Sequence, residues 1–394
     1  MRAEDRLLAV TPVCKRWYNA CLTCPELWER QEFLLVVDSE GVQRLERFAR
    51  WLARRAQHVR ALHISCMAPG LHDAEEELQR QAWDHLMSML RNLASTLQRL
   101  DLQWAGGVDT LAWVLSLPRL QSLDLDVPSL TVDMSMAPLT TLSRLVIYTT
   151  EGGLKFGAGV GAEVFPLSLS LLTLLNVTPL HLPSCVGRLP ALHRLFFSEC
   201  SFEGEDFLQP LLQSTSLQLL EPLKQLQILG LSACKLRALP PSITGLTALR
   251  ALYSEENRLD TEVPEGPYLR GLELLSVDWR TLLGGGGPRI IAAAPALKRL
   301  YICKAFPFLP SAGDTSRQAA LLQVARQLNT HPSLRHVDFV LYESDRLSQQ
   351  VEVTRMMLHL ASKCPRLHFD AIRYDRFFAT SLETIDNDLA IAEG

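Results

Sequence analysis

Residues 226–259 read LQILGLSACKLRALPPSITGLTALRALYSEENRL, two copies of one pattern set 23 positions apart. Each copy opens Leu-x-x-Leu, at Leu226/Leu229 and Leu249/Leu252, and the first continues to Leu231 where the second has Ser254. Side chains alternate along an extended chain, so Leu229 and Leu231 share one side while Ile228 and Gly230 share the other. A short strand with one apolar side thus begins each copy. At the ninth position stand Cys234 and Asn257, where a side chain stacked beneath its equivalents can hydrogen-bond the backbone groups a turn leaves unpaired. Leu239-Pro240-Pro241, Ile243 and Leu246 then bring the chain back, with proline where no ladder hydrogen bond is required.

The same spacing recurs at Leu97/Leu100/Leu102, Leu120/Leu123/Leu125, Leu142/Leu145/Ile147, Leu192/Leu195/Phe197, Leu272/Leu275/Val277 and Leu297/Leu300/Ile302. Fainter copies lie at Val59/Leu62/Ile64, Leu169/Leu172/Leu174 and Leu334/Val337/Phe339, and Cys200 takes the ninth position after Leu192. Most successive copies are 22 to 27 residues apart, inside the window of the leucine-rich repeat. From about residue 58 to about residue 372 the chain resembles that superfamily. The fold class expected is an α/β leucine-rich-repeat solenoid, a horseshoe of parallel strands.

Composition agrees. Of 394 residues 75 are leucine, and 47% are hydrophobic against 21% charged, which suits a large aliphatic core. A net charge of −4 with 39 scattered basic residues argues against a surface for nucleic-acid phosphates. No apolar run is long enough to cross a membrane, and charges near Met1 stand where a signal peptide needs its apolar core. The expectation is a soluble protein of the cytoplasm and/or nucleus, with nine reduced cysteines, no membrane and no nucleic-acid partner.

Three intervals, 59 to 97, 192 to 226 and 297 to 334, are too long for one repeat. In the first, Leu78, Ala82, Leu86, Leu90 and Leu93 fall at helical steps behind an acidic first turn, which predicts an amphipathic helix. The third carries a second helix, with Thr315 or Ser316 as cap and Pro332 as stop. A further helix in DRLSQQVEVTRMMLHLASKCPRL precedes a weak last strand. The chain is expected to divide into a helical segment at 1–35, a solenoid with helical insertions at 36–378 and a polar tail at 379–394. Both ends of the solenoid need an apolar cover.

The opening residues, DRLLAVTPVCKRWYNACLTCPELWERQEF, place Leu7, Leu8, Val13, Cys14, Trp17, Leu27 and Trp28 in an order that resembles the second half of an F-box. That family's trihelical motif binds a Skp-type adaptor and links a substrate-recognition domain to a cullin–RING ubiquitin ligase. The resemblance implies that these seven residues form the adaptor-binding surface and that the partners are the Skp-type adaptor and cullin complex. The Leu-Pro and first helix that precede Asp5 in the family are absent before it, which leaves an incomplete start and a degenerate motif as alternatives. The same apolar residues could also cap the solenoid.

Other chemistry finds little support. Cys21 and Cys24 have the spacing of half a zinc site, without a second pair or a thioredoxin-like context. The run Gly157-Ala-Gly159-Val-Gly161-Ala162 lacks the acidic partner of a dinucleotide site, and Gly284 to Gly287 are followed by Pro288-Arg289 in place of Lys-Ser or Lys-Thr. Asp124 and Asp126 share one face of a strand but have no partner in a pocket. No catalytic residue, metal or cofactor is expected, and no enzyme activity.

The third and fifth positions of each repeat flank the inward leucine and project from the expected concave face. Among them Arg144, Arg194, Phe196, Tyr253, Arg299 and Tyr301 combine arginine with aromatic rings, the types enriched at interface hot spots. The sequence therefore points to a substrate-recognition subunit of a Skp–cullin–F-box ubiquitin ligase that holds an unknown target protein on this face. A repeat scaffold without a ligase connection is the alternative.

Overall fold

The computed structural model describes residues 28–67, 73–106, 108, 110–156, 164–177, 186–187, 189–201, 223, 225–259, 263–283, 287–303, 315–341 and 347–373. The chain divides into two compact units, Met1–Cys185 and Val186–Gly394. Leu7, Leu8, Val13, Cys14, Trp17 and Leu27, the Cys21/Cys24 pair, Gly157 to Gly161, Gly284 to Gly286, most of the second insertion and the expected tail lie outside the described residues.

The first unit runs β1 (Arg30–Val36), α1 (Ser39–Ala53), β2 (Ala61–Met67), α2 (Asp73–Leu93), β3 (Arg99–Gln103), a 3-10 turn at Ala112–Ser116, β4 (Ser122–Val132), β5 (Arg144–Phe156) and β6 (Leu171–Leu175). Each strand pairs in parallel with the next. Leu62, Leu100, Leu123, Leu145 and Leu172 stand opposite one another in register, and all are 2% exposed or less. Ile64, Leu102, Leu125, Ile147 and Leu174 form a second buried column two residues on. The repeat read from spacing is thus a ladder of rungs, each burying its leucines against the next.

β1 differs from the expectation that residues 1–35 are helical. RQEFLLV alternates well enough to pair residue by residue with β2 from Arg30↔Ala61 to Val36↔Met67, so this stretch is a rung of the sheet. Behind it α1 buries Val42, Leu45, Phe48 and Leu52 along one stripe. Asp38 caps it, its Oδ1 accepting from Gly41 N at 2.6 Å. A Cβ on Gly41 would lie 1.9 Å from the Val36 carbonyl oxygen, so the strand can turn into the helix here only on glycine. Phe33 stacks on Phe48 at 4.6 Å, and Trp28 meets Trp51 at 5.2 Å.

β4 and β5 are also longer than their repeats require. After an irregularity between Val127 and Ser129 the pair resumes from Ser129↔Gly153 to Val132↔Phe156. A side chain at Gly153 would press to 2.9 Å from Ser129 Cβ, so glycine lets the two arms close.

The second unit contains β7 (Arg194–Ser198), β8 (Ile228–Ser232), a 3-10 turn at Pro241–Gly245, β9 (Ala251–Tyr253), α3 (Tyr268–Gly271), β10 (Leu274–Asp278), α4 (Trp279–Leu283), α5 (Gly287–Ala293), β11 (Arg299–Cys303), α6 (Thr315–Thr330), β12 (His336–Leu341), α7 (Leu347–Lys363) and β13 (His368–Arg373). Parallel pairing again follows chain order, with Leu195, Leu229, Leu252, Leu275, Leu300 and Val337 in one register. These six side chains are at most 1% exposed. The expected helices after residues 73, 315 and 347 are α2, α6 and α7.

The ninth-position residues do what their chemistry allows. Asn257 Nδ2 donates to Leu231 O at 2.5 Å and Ser254 O at 2.9 Å, while its Oδ1 accepts from Leu236 N at 3.0 Å. Cys234 Sγ donates to Ser232 O at 3.3 Å and Phe197 O at 3.5 Å, and Cys200 Sγ to Ser198 O at 3.4 Å. The residue just before each turn partner, Glu199, Ala233 or Glu256, is left-handed, with φ of 56°, 54° and 61°; in the first unit Asn176 holds the equivalent place at 53°.

Two stability changes follow. Leu123→Ala should cost about 2–5 kcal/mol, because a fully buried rung leaves a cavity that neighbouring rungs cannot fill. Ala233→Gly should gain about 0.5–1 kcal/mol by relieving a left-handed residue. Urea unfolding of the full chain, monitored by circular dichroism, measures both.

Candidate functional site

The strand face opposite the leucines carries the polar and aromatic positions of the repeat, and the two units use it differently. In the first unit it is charged and at least half-open from β3 to the start of β5, while Val146, Leu171 and Thr173 on β5 and β6 are buried. The third-position column runs Ala61, Arg99, Ser122, Arg144, Leu171, and the fifth-position column His63, Asp101, Asp124, Val146, Thr173. Neighbouring strands in such a sheet lie about 4.8 Å apart, which sets these groups within reach of one another. His63 Nδ1 is 2.7 Å from Asp101 Oδ2. Arg144 donates to both oxygens of Asp124, Nε to Oδ1 at 3.3 Å and Nη2 to Oδ2 at 3.2 Å. Partial burial, with the nearby charge of Asp101, raises the pKa of Asp126. Arg99 and Gln103 are exposed, and Asp101, Ser122, Asp126 and Tyr148 half-buried.

In the second unit the same face is closed. Phe196, Ile228, Ala251, Tyr253, Leu274 and Tyr301 form one buried cluster with Cys303 and Val340. The register places Phe196 opposite Gly230, and Gly230 opposite Tyr253. A Cβ at Gly230 would lie 2.3 Å from Phe196 Cδ1, so the absent side chain is what admits the ring. The Phe196 and Tyr253 ring centroids are 6.0 Å apart. Beyond them the Arg299 guanidinium sits 5.0 Å above the Tyr301 ring and its Nε donates to Asp338 Oδ2 at 2.7 Å. Burial raises the pKa of Asp338 despite that bond.

The six expected partner-binding residues do lie on this face, but they do not present it alike. Arg144, in the first unit, is half-buried and held by Asp124. In the second unit Phe196, Tyr253 and Tyr301 are 8%, 2% and 3% exposed, so their rings pack into the protein. Arg194 is half-buried, and the Arg299 side chain is 20% exposed over Tyr301. Hot-spot composition is visible in a sequence; whether a ring is covered depends on its neighbours, here above all Gly230. Trp28, expected on the adaptor surface, is 1% exposed, between Trp51 and the Arg55 guanidinium, 4.7 Å from its ring.

Sequence reasoning missed a buried polar row at the end of the same strands. Glu255 is 1% exposed; its Oε1 accepts from Ser232 Oγ at 2.5 Å, while Oε2 has no hydrogen-bond partner. Burial pushes its pKa up to about 7, with the Asp278 charge adding to the rise and the Ser232 and Ser276 hydroxyls opposing it. Ser198 Oγ, also buried, is without a partner. A carboxyl titrating near neutrality has the pKa of a general base, but here no thiolate nucleophile stands beside it. Burial pushes the Cys303 thiol well up, with Glu255 the next cause. Among the described residues no three His, Cys, Asp or Glu side chains are placed to hold a metal ion, the five cysteines are free, and no helix is long and apolar enough to cross a membrane.

No protein-family model matches the chain, and no curated protein does. The repeat is shown by its own rungs. Solved structures with a distant likeness include a plant peptide hormone receptor, RGFR1, in complex with RGF2, at 14% identity over 81% of this chain with a TM-score of 0.40. An internalin C2 from Listeria monocytogenes matches at 16% identity over 64% of this chain and 83% of its own, TM-score 0.29. A leucine-rich-repeat protein of Leptospira interrogans matches at 14% over 89% of this chain and 98% of its own, TM-score 0.28. The chain spans 48% of the receptor.

The buried carboxyl sets a pH dependence. Its folded pKa, about 7, lies above the ordinary glutamate value of 4.5, so the native state holds this proton more tightly than the unfolded one. Its contribution is therefore most favourable below pH ~4.5 and declines as pH rises to about 7, a loss on the order of 3 kcal/mol. Glu255→Gln should remove that decline. Urea unfolding of both chains from pH 5 to 8 should give curves that diverge with rising pH, the wild type losing more; parallel curves would show that Glu255 is charged throughout.

Proposed function

We propose that the chain is a protein-binding repeat module serving as the substrate-recognition subunit of a Skp–cullin–F-box type ubiquitin ligase. The observation that carries protein binding is the open face of the first unit. There Arg99, Asp101, Gln103, Asp124, Asp126 and Tyr148 come from three adjacent strands held in register. Such an array offers donors, acceptors and one aromatic ring at regular spacing on a broad surface, which suits another protein's surface. The ligase connection rests on the F-box resemblance of residues 5–28. The protein contributes proximity: it brings lysines of a bound target to a ubiquitin-charged partner and performs no chemistry of its own. A cytoplasmic or nuclear place follows from that role.

Co-precipitation of the full chain with a purified Skp-type adaptor tests the connection. Retention of adaptor and cullin, lost in Leu8→Asp and Trp17→Ala, is the expected result, and failure of the unaltered chain to retain the adaptor would remove the ligase reading. Target binding is tested separately by Asp126→Arg. This change should weaken capture of ubiquitylated targets by about tenfold or more while adaptor retention is unchanged.

A further inference from the structure

We infer that the cleft between α2 and the segment following β3 is a second binding site, for an extended peptide carrying an apolar anchor and, four residues from it, a carboxylate. This inference draws on neither the strand face nor the F-box resemblance. The cleft encloses about 920 Å³ within the first unit. Trp104 and Leu90 floor it, 4% and 1% exposed, and Trp83 and Trp113 rise at its sides, half-buried. The Trp83 ring lies 5.1 Å from that of Trp104 and 6.0 Å from that of Trp113. Three indoles therefore form a continuous aromatic wall that the described residues leave open on one side. Gly106 helps keep it open: a Cβ there would lie 2.9 Å from Trp104 Nε1 and 3.1 Å from Gln79 Oε1. The Trp113 indole nitrogen has no hydrogen-bond partner.

The rim decides the charge. Glu77 is taken up by Arg80 and by Gln81 Nε2, the latter at 2.9 Å, so these groups satisfy one another. The Arg91 guanidinium, exposed at the other end of the helix's lining, makes no hydrogen bond or ion pair among the described residues. One free guanidinium beside an indole wall selects a single anion joined to an apolar body. It is too little charge for a nucleic-acid backbone.

Length decides the form. From Glu77 to Arg91 the helix contributes lining over about 21 Å at 1.5 Å per residue, a distance that an extended chain of about six residues covers. Trp83 and Arg91 are eight positions apart, about 12 Å along the axis. In an extended peptide alternate side chains share a face, and the first and fifth lie about 13 Å apart. A carboxylate on Arg91 therefore sets a residue four positions away over Trp83.

The probes are acetylated, amidated pentapeptides, Glu-Ser-Leu-Ser-Phe and its reverse, each also made with Lys in place of Glu, titrated into the full chain by calorimetry. The expected result is that one order binds with Kd below about 1 mM and prefers Glu over Lys by about fivefold. Arg91→Glu, a change at an exposed and unpaired position, should invert that preference. Absence of saturable binding for either order up to about 1 mM, or an unchanged preference in Arg91→Glu, would overturn the inference. Binding of N-acetylphenylalanine amide as tightly as the pentapeptide would also overturn it, by showing a pocket for a single small group.

Discussion

Most strands here depend on their neighbours to bury one or two inward aliphatic side chains, leucine above all. A rung such as Leu123 flanked by Leu100 and Leu145 is dry only because both are present, and the same holds for Leu229 between Leu195 and Leu252. The core is thus a stack of nearest-neighbour burials, so stability within each unit is expected to be a sum of rung and interface contributions. That dependence also explains the ends. Among the described residues, α1 and the Trp28–Trp51–Arg55 cluster pack beside β1, the first described rung. In the second unit α7 accompanies β12 and β13, the last described pair of strands.

The turns that link rungs impose a second constraint, the pairing of every buried backbone group. Asn257 meets it with four bonds between nitrogen or oxygen atoms of 2.5 to 3.3 Å. Cysteine at the same place supplies only weaker thiol bonds, of 3.3 to 3.5 Å. The left-handed residues that precede these positions show that the turn geometry repeats even where the sequence does not, since alanine and glutamate occupy a conformation glycine would accept more readily.

Much of the fold was legible because its period was. Leu97/Leu100/Leu102 and its copies announce their strands, and the helical spacing in α2 is plain. β1 was missed because RQEFLLV carries glutamine and phenylalanine, Gln31 and Phe33, where the repeat has its inward leucines, and because its neighbour in sequence resembled a helical motif. The long arms of β4 and β5 were hidden behind Pro128 and Gly152-Gly153, which read as turn residues but sit at an irregularity where two strands rejoin. The functional positions were legible as positions only. Arg144 and Phe196 were placed on the correct side of their strands by parity; that one is half-open and the other covered depends on Asp124 and Gly230, each contributed by the preceding or following rung. Glu255 and the tryptophan cleft gave no local signal at all, because each arises from side chains brought together across different segments.

The fit of the Phe196 ring into the space above Gly230 means that these repeats are not interchangeable parts. A ring in one rung requires a hollow in the next, so duplicating or swapping a repeat would set glycine beside glycine or ring against ring, and the stack would lose its match even though every leucine was kept. An array built this way can lengthen or shorten over evolutionary time only by changing both members of such a pair together, which ties the order of its modules to a code carried on the face opposite the leucine columns.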